Sequence, residues 1–173
     1  MKVMGIVGWS GQGKTQLLVA LLPILRARGL SVSTMKHAHH RFDLETEGKD
    51  SWRHREAGAS EVLLVTSARW VLMHECREEP EPSIEALIDR MTPVDLLLIE
   101  GFKTHDHPKI EIHRASEGKP LLASGDPGIV AVATDEPLDG LGVPQLDLND
   151  VAQVADFILR STGLAATRGF EPL

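Results

Sequence analysis

Tyrosine is missing from this 173-residue chain, and aromatic residues of all kinds make up only 4% of it. That scarcity argues against a surface that binds single-stranded nucleic acid by stacking its bases. Positive charge is not in surplus either: the formal net charge is -7, whereas a general nucleic-acid binder shows a basic face. The single cysteine, Cys76, excludes an internal disulfide framework and a cysteine-rich zinc site. It follows a strand-like run without an evident base partner and reads as an inert thiol. No apolar run is long enough to span a bilayer. Met1-Lys2-Val3-Met4 leads straight into a strand pattern with no secretory signal before it. A cytoplasmic protein with neither nucleic acid nor membrane as partner is the expectation. The length suits one domain with one substantial core, placed at residues 1–162 with a poorly ordered tail at 163–173.

Against these absences stands Gly8-Trp9-Ser10-Gly11-Gln12-Gly13-Lys14-Thr15. It follows an apolar run, Val3-Met4-Gly5-Ile6-Val7, and opens onto a helical pattern, Leu17-Leu18-Val19-Ala20-Leu21-Leu22. Strand, G-x-x-x-x-G-K-T and helix is the context of a phosphate-binding P-loop. Glycines let successive backbone N–H groups converge on a phosphate chain, and the helix N-terminus adds unpaired donors. Lys14 then reaches the β- and γ-phosphates and the Thr15 hydroxyl takes Mg²⁺. Gly11, Gln12, Gly13 and Gln16 complete the candidate nucleotide-binding set.

The helix runs from about Gly13 to Arg28 and stops at Gly29, with Pro23 inside it as a kink or a shift of its last turn. Leu30 to Met35 reads as the second strand. A polar cluster follows, Lys36-His37-Ala38-His39-His40-Arg41-Phe42-Asp43, then a stretch from Gly48 to Ala59 whose middle reads as a short helix ending near Gly58. Polar loops at the carboxyl ends of strands are where α/β folds bind ligands. Glu61 to Thr66 and Trp70 to His74 suggest an antiparallel hairpin, which makes the sheet mixed. Ser83 caps a helix through about Arg90.

Asp95-Leu96-Leu97-Leu98-Ile99-Glu100-Gly101 has the continuous apolar run of a strand buried on both faces. Glu100 at its carboxyl end is placed to hold Mg²⁺ or its waters, unless it is a helix cap or a surface acid; Gly101 lets the backbone approach the γ-phosphate. Asp95 reads as a solvated turn residue. Further strands are expected at Pro108 to Arg114, Gly128 to Asp135 and Val143 to Leu148, and Asn149 is expected to cap a last helix from Val151 to about Arg160. Thr134-Asp135 ends a late strand, where an acid would accept from guanine N1 and its 2-amino group. A plain turn at Asp135-Glu136-Pro137 fits equally well. His37, His39, His40, His105 and His107 invite a zinc or nickel site, but their spacing matches no standard one.

In combination, the P-loop, the Lys36-His37-Ala38-His39-His40 cluster, Gly48-Lys49-Asp50-Ser51 with Arg53, Arg55-Glu56-Ala57-Gly58-Ala59, and Ile99-Glu100-Gly101-Phe102-Lys103 resemble the MobB family of molybdopterin-guanine dinucleotide biosynthesis adaptors. The likeness extends through Pro108-Lys109-Ile110-Glu111 to Ala133-Thr134-Asp135, roughly residues 1 to 135; Gln16 stands where family P-loops often carry a second threonine. The resemblance implies a P-loop NTPase fold, a three-layer α/β/α arrangement with a mostly parallel sheet carrying an antiparallel hairpin. It implies GTP and Mg²⁺ as cofactors, a homodimer, and partnership with the guanylyltransferase that joins GMP to molybdopterin. It implies weak GTP hydrolysis, for which Lys14 and Glu100 are the candidate catalytic residues and Thr15 and Glu100 the metal ligands. Lys36, His37, Arg53 and Lys103 are candidates for a second anion, the phosphate of molybdopterin. The rival readings are a metallochaperone GTPase working through the histidine loops, and a small-molecule kinase.

Overall fold

The computed structural model describes residues 1–38 and 44–165. The chain divides into two compact units, Met1–His37 with the chain from Thr92 onward, and Ala38–Met91.

The first unit is a six-stranded sheet in which every pairing is parallel. β1 is Lys2–Val7, α1 Lys14–Ala27 and β2 Val32–Lys36; after the second unit come β5 Leu96–Glu100, β6 Lys109–His113, β7 Ile129–Thr134, β8 Gln145–Asp147 and α4 Val151–Thr162. The spatial order is β2-β5-β1-β6-β7-β8. From β1 the chain crosses through α1 to the β2 side; from β5 it passes over β1 and continues outward on the other side. That reversal leaves the carboxyl end of β1 at a topological switch point, where open α/β sheets bind ligands.

Strand alternation sorts the core into two faces. Met4, Ile6, Leu98, Ile110, Ile112, Ala131 and Ala133 pack with Leu17, Leu21 and Leu25 of α1 and Val154, Ala155, Ile158 and Leu159 of α4. Val7, Ile129 and Val132 point the other way, under Leu121, Leu122, Leu138, Leu141 and Val143. Each fully buried Leu or Ile contributes about 1.5–3 kcal/mol, so the first face dominates stability. Pro23 lies within α1 without ending it.

Several elements differ in detail from the sequence expectation. α4 is capped by Asp150, whose carboxylate accepts from Gln153 N–H, and not by Asn149; Asp150 is the residue directly before the first helical position, where a cap must stand. Asp95, half-buried at the bend before β5, does more than a solvated turn residue: its carboxylate accepts from the backbone N–H and the hydroxyl of Ser31 and so fixes the start of β2. Of the expected tail, residues 166–173 lie outside the described residues, while Leu164 and Ala165 pack against the core.

The second unit holds α2 Asp50–Glu56, β3 Glu61–Val65, β4 Trp70–His74 and α3 Ile84–Asp89. The expected hairpin is present, β3 antiparallel to β4, as a two-stranded sheet of its own. Ser83 caps α3 through Ala86 N–H. Leu63, Val65, Trp70 and Leu72 stand exposed on the hairpin.

Candidate functional site

The loop from Gly8 to Thr15 leaves β1 under tight steric constraint. A Cβ on Gly8, whose φ is 146°, would stand 2.5 Å from the Ile112 carbonyl oxygen. Gly13, at φ 92°, precedes α1 in the left-handed region, and no side chain caps the helix. The first-turn N–H groups of α1 lack intrahelical partners and the helix has no acid in its first turn. Together these leave a positive, donor-rich end suited to an anion. Lys14 folds over the loop and donates to the Trp9 carbonyl at 2.8 Å. Burial holds its ammonium below the usual lysine range, and the Lys103 and Lys36 charges add to this while Glu100 opposes it. A group strained by neighbouring cations gains from an incoming polyanion.

Glu100, on the strand beside β1, is the counterpart acid. Its Oε1 accepts from the Thr15 hydroxyl at 2.8 Å and lies 3.1 Å from the Lys36 ammonium. A hydroxyl and a carboxylate brought together beside this glycine-rich loop are hard oxygen donors, a fit for Mg²⁺ and its waters. The backbone then turns sharply. Gly101 has φ 100°, and a Cβ there would meet the His37 Cβ at 3.0 Å. Phe102 follows with φ 51°, a left-handed conformation unusual for a bulky residue and a mark of local strain. Its ring stacks on His37 at 4.5 Å and meets His105 edge-on at 4.9 Å. The turn delivers Lys103 onto the Trp9 ring, 4.6 Å from its centroid.

That turn is held from beneath by Lys109, which is 2% exposed. Its ammonium donates to the Lys103 and His105 carbonyls and pairs with Asp126 at 2.9 Å. Burial alone would raise the Asp126 carboxyl, but the Lys109 hydrogen bond, the Gly128 N–H and the Lys109 charge outweigh it and hold the group low.

On the other flank, buried Gln12 accepts from the Arg114 N–H through its side-chain oxygen, tying the loop to the end of β6. The Arg114 guanidinium donates to Asp135 at 3.2 Å, and the other Asp135 oxygen accepts from Ala115 N–H at 3.1 Å. Two shallow cavities open here. One, of about 260 Å³, is lined by Gly13, Gln16, Arg114, Leu148 and Asn149 among others. The second, of about 340 Å³, includes Thr134, Asp135, Asp147 and Asn149. The Glu117 carboxylate lies against Gly11, 3.6 Å from where a Cβ would stand.

The expected residues Gly11, Gln12, Gly13, Lys14, Thr15, Gln16, Lys36, His37, Glu100, Gly101, Lys103 and Asp135 all belong to the first unit, whereas Arg53 lies on α2 of the second. Asp135 is more than a turn residue, since both its oxygens are engaged. His39 and His40 lie outside the described residues, and among the described residues no three His, Cys, Asp or Glu side chains cluster to hold a metal ion. Sequence reasoning passed over Arg114 and the clamp made by Lys109. The alternation Lys109-Ile110-Glu111-Ile112-His113 was the available signal, because a charged side chain at every second position of a central strand must be paired.

A family model described as MobB, molybdopterin guanine dinucleotide synthesis protein B, matches residues 3–135. The chain is 46% identical over 159 residues to the molybdopterin-guanine dinucleotide biosynthesis adapter protein of Haemophilus influenzae, covering 90% of this chain and 86% of that one. It is 41% identical over 160 residues to the adapter protein of the same name from Escherichia coli, covering 91% of each. Among solved structures it is similar to a crystal structure of molybdopterin-guanine biosynthesis protein B, with a TM-score of 0.70 and 28% identity over 92% of this chain and 99% of that one.

Proposed function

This chain belongs to the MobB family, and from that premise we propose that it serves molybdopterin guanine dinucleotide biosynthesis as an adapter that grips Mg·GTP. One observation carries the reading. An uncapped helix N-terminus, the Lys14, Lys36 and Lys103 cations and the Thr15–Glu100 contact converge on a single loop. The loop N–H groups and Lys14 bind the β- and γ-phosphates, and Thr15 with Glu100 holds Mg²⁺. When bound, Mg²⁺ neutralises charge on the phosphate oxygens. The nucleoside extends along the two cavities that share Asn149. There Asp135 meets the base; guanine N1–H and its amino group complement a carboxylate, whereas adenine N1 is an acceptor and is repelled.

Lys36, His37 and Lys103 form the side of the site that takes a second anion, the phosphate of molybdopterin. GTP hydrolysis by the chain alone is slow, and a partner such as the guanylyltransferase supplies what is missing, a contribution of about 10³–10⁵ in rate elsewhere. The exposed apolar side chains of the β3–β4 hairpin supply the contact of a homodimer. The test is a titration of the purified chain with Mg·GTP and with Mg·ATP. Tighter binding of GTP is expected; equal affinities would remove the role of Asp135, and no binding of either would remove the nucleotide site.

A further inference from the structure

We infer that Arg114 is a nucleotide-binding residue whose Nε/Nη2 edge takes the α-phosphate. The inference rests on the proposed GTP site. A guanidinium binds phosphate best through two parallel N–H groups on one edge. In Arg114 the Nη1 group is committed to Asp135. That contact turns the Nε/Nη2 edge toward the loop, and both atoms lie 3.5 Å from where a Cβ on Gly13 would stand. Neither has a hydrogen-bond acceptor among the described residues. The backbone of Arg114 is independently anchored by its N–H to the buried Gln12 side chain, so the edge is held in place before any ligand arrives.

The position decides which phosphate it meets. Lys14 and the Thr15–Glu100 pair address the terminal phosphates. The cavity lined by Gly13, Gln16, Arg114 and Asn149 shares Asn149 with a second cavity that is lined by Asp135. Only the α-phosphate carries the nucleoside, so it lies where loop and cavity meet, and Arg114 lines that junction. Its side chain, 32% exposed, is open enough to be approached.

The consequence is a division of labour that pyrophosphate exposes, because pyrophosphate fills the terminal subsites and leaves the junction without a phosphate. Calorimetric titration of native chain, Arg114→Gln and Arg114→Lys with Mg·GTP and with Mg·pyrophosphate tests it, with thermal melting as the control for folding. Arg114→Gln is expected to weaken Mg·GTP by about 10- to 100-fold, the scale of a charge-assisted bidentate contact. Mg·pyrophosphate should stay within about twofold, and Arg114→Lys should restore part of the GTP affinity by keeping the charge. GTP affinity within about twofold of native in Arg114→Gln, or a parallel loss of pyrophosphate, overturns the inference while leaving the GTP site standing. Failure of the native chain to bind Mg·GTP overturns the GTP site itself, and the inference with it.

Discussion

β5 and β6 flank the same strand, lie equally deep, and are built from opposite chemistry. All five residues of each are buried. β5 reads Leu-Leu-Leu-Ile-Glu and places a single acid at its end; β6 reads Lys-Ile-Glu-Ile-His and sets ionisable groups at alternate positions. Ile110 and Ile112 join the helix-side core as Leu96 and Leu98 do. The polar residues of β6 face the other layer, where each of two has specific work. Lys109 holds the Lys103–His105 turn and Asp126. Glu111 accepts from Leu122 and Ala123 N–H at 2.8 and 2.9 Å, anchoring the segment that covers Val132. Burial therefore fixes depth only. The apolar strand supplies stability and the one acid that meets Thr15; the polar strand supplies the posture of the loops around that acid.

The sharpest way to break this contrast is Lys109→Met. Removing one partner of a buried ion pair and leaving carbonyls without a donor is expected to cost about 3–5 kcal/mol, read by denaturant unfolding, and to weaken Mg·GTP because Lys103 loses its support. Leu98→Ala should cost about 2–5 kcal/mol while the surviving folded protein keeps its GTP affinity. If both variants lose affinity alike, the two strands do not differ in the way described. Glu111→Gln is expected to cost about 1–3 kcal/mol, since an amide N–H would oppose a backbone N–H, with faster hydrogen exchange at Leu122 and Ala123.

The smallest effect is a pH dependence from His107, whose ring nitrogens have no partner among the described residues. Burial, then the Lys109 and His105 charges, hold its imidazole below the ordinary 6.5, with Asp126 and Asp106 only partly offsetting them. Below pH 6.5 the unfolded chain takes up a proton that the folded chain refuses, so stability present above that pH is lost as the pH falls toward the lowered folded value. Melting temperature should drop across that window in the native protein and drop less in His107→Gln.

Much of this was legible in the chain itself. The glycine spacing, the apolar run ending in Glu100 and the turn residues between Val65 and Trp70 each have one local reading, and those readings agree with the fold. β6 was harder: charges at every second position describe a solvated face as well as a buried paired one. Only the partners, Asp126 and the N–H groups of Leu122 and Ala123, decide between them, and they are set by tertiary structure. The same holds for Arg114, an unremarked residue after a strand until Asp135 and Gly13 are brought to it. The hairpin was recognisable from its spacing, but its separation from the parallel sheet depends on pairings that spacing does not encode.

The most direct test of the account is a calorimetric titration of native chain and Lys14→Ala with Mg·GTP. Saturable binding by the native chain that is abolished in Lys14→Ala is the result expected from a phosphate loop whose lysine is poised among cations. Unchanged affinity in Lys14→Ala would contradict it.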